Sequence, residues 1–122
     1  MIRAALVAVL LSAGAAVAQN APEGLAAAPG AFLRGLDKIA GAASDLTLSV
    51  GESVTYGSLS VRLVDCRYPA EDPASNAYAF LEITDTAIDR EVFRGWMIAQ
   101  NPALSALDHQ RYDVWVLRCK ID

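Results

Sequence analysis

The only histidine, His109, directly follows Asp108 and lies four residues after Ser105. Serine, carboxylate and imidazole are the side chains of a nucleophile, an orienting acid and a general base. In working triads the three come from separate segments and meet as a hydrogen-bonded relay. Ser105, Asp108 and His109 are too local for that arrangement. The chain has no G-x-S-x-G turn, no phosphate-cradling glycine loop and no His/Cys cluster at metal-ligand spacing. His109 therefore reads as a structural or loop histidine, and no catalytic residue, metal or cofactor is assigned.

Carboxylates can do acid and base work, and Glu71, Asp72, Asp85, Asp89, Asp108 and Asp113 are available. Solvated turns account for all of them except Asp113. That residue precedes Trp115 by two, which puts both on one face of a strand. An acid facing inward there needs a partner such as Arg111 or a backbone amide. Trp96, Tyr112 and Trp115 form the best case for recognition, because indoles and phenols offer a flat apolar face and a polar group. Core packing in a small β domain is the simpler account of all three. The binding candidates are thus Trp96, Tyr112, Trp115, Asp108, His109 and Asp113.

Two cysteines, Cys66 and Cys119, remain. In an exported chain two cysteines most often pair. Two buried free thiols or a metal pair are the other readings. Both cysteines close strand-like runs, so a bond between neighbouring strands would hold the last strand against fraying. It requires Cα atoms within about 7 Å.

The elements that must position these residues begin after a leader. Arg3, the apolar run Ala4 to Ala18 and the small-x-small Ala16-Val17-Ala18 have the layout of a secretory signal peptide. The run is shorter than the ~20 residues of a spanning helix, so cleavage before Gln19 and a mature chain with no membrane span are expected. Cleavage removes one of 10 Lys+Arg that stand against 14 Asp+Glu. That acidic balance argues against nucleic acid and anionic lipid as partners. Gln19 to Gly30 reads as a flexible lead. Phe32, Leu33, Leu36 and Ile39 recur at near-helical spacing, which predicts a short amphipathic helix within residues 19–44.

From residue 45 the texture is that of strands. Leu46 to Val50, Val54 to Tyr56, Leu59 to Cys66, Ala77 to Thr84, Glu91 to Ile98 and Tyr112 to Cys119 are runs of alternating or continuous apolar character, separated by turn chemistry. Asn101-Pro102 starts a helical turn with Leu104 and Leu107 facing inward. The expected fold is mainly β, an antiparallel sandwich of about six or seven strands with a barrel as the alternative.

Three stretches resemble a known family. They are Leu46 to Gly57, Cys66 to Pro69 with Tyr78 to Ile83, and above all Gly95-Trp96-Met97 followed by Asn101 to His109 and Tyr112 to Leu117. Together they are similar to the exported proteobacterial family catalogued as domain of unknown function 2155. The resemblance implies a cell-envelope protein, and it brings no activity or catalytic residue to carry over. The expectation is a non-catalytic periplasmic binding or scaffold module whose partner is an envelope protein or glycan. The alternative is a small glycan hydrolase using carboxylates near Asp108 and Asp113.

Overall fold

Alternating burial runs along most of the strands of the computed structural model, which describes residues 24–122. The expected signal segment and cleavage site lie outside the described residues. Eight strands follow in order: β1 (Leu25–Ala27), β2 (Gly30–Asp37), β3 (Ala42–Ser49), β4 (Ser53–Tyr56), β5 (Leu59–Pro69), β6 (Tyr78–Asp85), β7 (Arg90–Ile98) and β8 (Tyr112–Lys120). A 3-10 turn, Pro102–Leu104, precedes β8. Every ladder is antiparallel.

The strands form two sheets. In the larger, β5 pairs with β6 and β6 with β7, while β4 and β1 occupy the two ends of the other edge of β5. The smaller sheet has the order β3-β2-β8. The chain crosses between the sheets three times, at Ala28-Pro29, at Val50 to Glu52 and through residues 99–111. The Val50 N–H donates to the Pro29 carbonyl and holds the first two crossings together. Gly51 N–H donates to the Leu63 carbonyl, and Leu63 N–H to that of Glu52, so β5 is satisfied between its two edge partners. β3, β7 and β8 each carry a ladder on one side only, so neither sheet closes into a barrel.

The inner faces meet in one core. Leu59, Val61, Leu63, Leu81 and Ile83 of the larger sheet are fully buried with Leu33, Leu48, Val114 and Val116 of the smaller. Each such side chain is worth about 1.5–3 kcal/mol of burial.

The helix expected over Phe32 to Ile39 is instead β2, the central strand of the smaller sheet. Ala31, Leu33 and Gly35 face the core, whereas Phe32, Arg34 and Leu36 face outward. Gly35 is an inward position where a Cβ would come within 2.7 Å of the Tyr56 ring, so glycine makes room for Tyr56 and does not end a helix. Ile39, the last apolar residue of the helical pattern, lies in the β2–β3 turn and is 74% exposed. With β1 and β2 included the described residues carry eight strands, against about six or seven expected. The helical turn forms as expected, but Asn101 makes no side-chain capping bond and Leu104 is exposed. Only Leu107 of the two leucines reaches the core.

Cys66 and Cys119 form a disulfide with Cα atoms 5.9 Å apart. It joins β5 of one sheet to β8 of the other, so the two strands are not sheet neighbours as anticipated. Two bulges explain the difference. The β5–β6 register shifts between Leu63 and Asp65, and the extra residue Val64 brings Cys66 to the same face as Leu63. In β8 the register passes from Val116 to Arg118 against β2, and Leu117 is the extra residue that turns Cys119 inward. The bond lies beside the first crossing, where Ala28 N–H donates to the Cys66 carbonyl and Ala31 is paired with Cys119.

Candidate functional site

Inward parity along β6 passes from Leu81 and Ile83 to Asp85, which is 5% exposed at the end of the strand. A carboxylate there needs partners. His109 supplies the main one, with Nε2 2.8 Å from Asp85 Oδ2. Ala87 N–H donates to Oδ1 at 3.0 Å. The histidine hydrogen bond holds the Asp85 carboxyl below the ordinary aspartate range; burial opposes this, while Ala87 N–H and the Ser58 hydroxyl add to the lowering.

The other ring nitrogen is equally committed. His109 Nδ1 accepts the N–H of Arg111 at 3.0 Å and the N–H of Tyr112 at 3.1 Å. Two donors facing one nitrogen leave no place for a proton on it. Nε2 therefore carries the proton and donates to Asp85. An imidazole so placed has no free lone pair to take a proton from a nucleophile. The side-chain nitrogens of His109 bond Asp85 and two backbone amides and no serine hydroxyl, so the corner does not form a Ser-His-Asp relay.

The surroundings tie this loop to the smaller sheet. Lys38 Nζ donates to the His109 carbonyl, and Lys38 N–H to the Arg111 carbonyl. Arg111 pairs with Asp37 at 3.0 Å and lies over the Tyr112 ring. Tyr112 packs edge-on against Tyr56, with ring centroids 5.5 Å apart. Gly57, at φ +57°, leaves space that the Tyr112 hydroxyl fills: a Cβ there would overlap it.

A second feature lies on the outward side of β8. The loop carrying the 3-10 turn runs past the strand and leaves an open groove of about 370 Å³, lined by Pro102, Ala103, Ala106, Asp113, Val114 and Trp115. Asp113 and Trp115 alternate with the buried Val114 and Val116, so both face outward. Asp113 has no hydrogen-bond or ion-pair partner among the described residues. The expected inward acid paired with Arg111 is thus not formed, because Arg111 is taken by Asp37. Cations on this side of the molecule are engaged elsewhere: Arg34 with Asp45 at 2.8 Å, and Arg118 over the Phe32 ring at 4.2 Å.

The structure brings together only some of the residues singled out by sequence. Trp115 and Asp113 share the groove, and Tyr112 and His109 share the buried corner behind it. Asp108 is exposed and has no bonded partner among the described residues. Trp96 lies on the outer face of the larger sheet, 39% exposed and edge-on to Phe80 at 5.4 Å. It shares no surface with Trp115. Sequence reasoning assigns Asp85 to a solvated turn, which its burial overturns, and misses Lys38 and the loop wall formed by Pro102, Ala103 and Ala106. Continuing the alternation Leu81, Ile83, Asp85 would have marked Asp85 as inward. Nothing in the sequence pairs it with His109. Among the described residues no group of three His, Cys, Asp or Glu side chains is placed to hold a metal, and no helix is long and apolar enough to cross a membrane.

A family described as an uncharacterised protein conserved in bacteria, the domain of unknown function 2155, matches residues 31–119. The chain belongs to that family. It is 26% identical over 87 residues to the uncharacterised protein RP359 of Rickettsia prowazekii (strain Madrid E). The match covers 69% of this chain and 56% of that relative, so the chain spans little more than half of the relative's length. No solved structure matches the chain.

Proposed function

We propose that this member of an uncharacterised bacterial family is an exported, periplasmic binding module of the cell envelope, without catalysis of its own, and that it binds through the groove between the 3-10 turn and β8. One observation carries the reading. The groove presents one indole and one unpartnered carboxylate, while the single histidine is closed off by its own bonds. A binding surface needs an apolar wall and a few polar groups left free. A glycan hydrolase needs two carboxylates facing one bond, and Asp113 is the one carboxylate lining this groove. Export is supported by the leader pattern of residues 1–18 and by the disulfide, which suits an oxidising compartment.

The test uses the protein in its native host. Intact mass of the periplasmic form should correspond to a chain starting at Gln19 with both thiols oxidised. A photo-crosslinking residue placed at Ala106 should yield a discrete envelope adduct, and one placed at Ile39 should not. A form that retains Met1 in the membrane would contradict export. Release of soluble fragments from envelope glycan by the purified protein, lost on Asp113→Asn, would replace the module by the hydrolase.

A further inference from the structure

We propose that the groove receives the side chain of a lysine or arginine carried on an extended segment of a partner protein. This rests on the binding-module reading above and names its ligand chemistry. Pro102, Ala103, Ala106 and Val114 offer no side-chain donor or acceptor. A saccharide in this open groove would keep most of its hydroxyls in water and find one side-chain acceptor, Asp113, to fix its orientation. A basic side chain is matched in both its parts. Its methylene stem lies on proline and alanine, and its charged head needs one carboxylate and gains from an indole face.

Charge accounting points the same way. A surface acid beside a guanidinium would normally be neutralised by it. Here Arg34, which lies next to Trp115 across the ladder, is turned to Asp45 on the far strand. Arg111 is held by Asp37 and Lys38 by the His109 carbonyl. Asp113 is left without a cation on a sheet face where its neighbours have theirs. The extended form of the partner follows from the strand order. β8 is the last strand of its sheet and has a ladder on the β2 side only. A segment laid along its free edge gains backbone hydrogen bonds while one side chain enters the groove.

The experiment titrates the disulfide-bonded mature protein with three probes, followed by amide NMR shifts of residues 102–106 and 113–115. The probes are acetyl-Val-Thr-Lys-Thr-Val-amide, the same peptide with Gln for Lys, and diacetylchitobiose. The lysine peptide should shift these amides, and the glutamine peptide should bind about tenfold more weakly, as expected for loss of a charge-assisted hydrogen bond. Asp113→Asn should weaken the lysine peptide by a similar factor and leave the glutamine peptide unchanged. Trp115→Leu should weaken the lysine peptide about threefold or more. Because Asp113 and Trp115 face outward, both variants should fold, which a melting curve verifies. Equal affinity for the two peptides, or chitobiose binding at the groove, overturns the cation inference while leaving a binding module in place. No shift with any probe overturns the inference, and the Ala106 crosslink then decides the module reading separately.

Discussion

Asp85 is bonded to His109 in the segment that leads into β8 and Asp113 stands at the start of β8, and their situations are reversed. Asp85 is inward, nearly inaccessible, and bonded to His109 and Ala87. Asp113 is outward, half-buried and without a partner. Buried polar groups must be satisfied within the fold, and once satisfied they have nothing left to offer a ligand. A carboxylate on an apolar groove wall keeps its capacity for a partner. The residue combination that looks most like chemistry, an acid with the only histidine, is therefore the one spent on stability. The residue that looks like a surface acid is the one free to recognise something.

The largest effect should come from the tie that β8 shares with both regions. Reduction of Cys66–Cys119, or replacement of both cysteines by alanine, should cost about 2–5 kcal/mol. Amide exchange should then quicken together at the corner and at the groove. Exchange that quickens at the groove alone would show that the two regions are not one cooperative unit.

A smaller loss is expected from His109→Ala. Asp85 and the amides of Arg111 and Tyr112 lose a partner at once, and melting should fall by about 10 °C in differential scanning calorimetry. Exchange should quicken first at the Arg111 and Tyr112 amides. A melting curve like that of the parent would mean that water replaces the imidazole and that the corner is not a structural anchor.

Acid sharpens the comparison further. The folded state holds Asp85 below its unfolded value, first through His109. Its contribution is therefore fully present above the unfolded value of about 4 and is lost as pH falls through the lower folded value. Asp37, Asp45 and Glu91 are lowered too, by Arg111, Arg34 and Arg94 respectively. Those exposed pairs are screened by salt. In about 0.5 M salt, where screening is short-ranged, Asp85→Asn should flatten the acid limb of urea stability measured below pH 4. An acid limb as steep as the parent's would mean that the Asp85–His109 bond does not carry the response.

The smallest effect belongs to Asp113→Asn at neutral pH. An outward carboxylate with no partner should change melting by no more than about 2 °C. A larger fall would mean that Asp113 supports the fold.

Much of the fold was legible because the strands carry a period of two. Leu46 to Val50, Leu59 to Leu63 and Tyr112 to Val116 announce themselves. β2 was misread because Phe32, Leu33, Leu36 and Ile39 also satisfy a helical period. The deciding signal was Gly35, whose place opposite Tyr56 is a tertiary fact. The two bulges were equally invisible. Each inserts one residue, Val64 or Leu117, and turns a cysteine inward, so a disulfide anticipated within a sheet joins two sheets. Trp115 and Asp113 were placed on one strand face from spacing alone. That the face looks outward, and that the loop from Pro102 to Ala106 walls it, depends on contacts between distant segments.

The tautomer of His109 tests the central division between the closed corner and the open groove most directly. Long-range proton–nitrogen correlation on the labelled protein near pH 7 reads it. The geometry predicts a proton on Nε2 and none on Nδ1, unchanged when the groove is titrated with the lysine peptide. A proton on Nδ1, or a mixture of tautomers, would leave a ring nitrogen free and would contradict the assignment of His109 to structure.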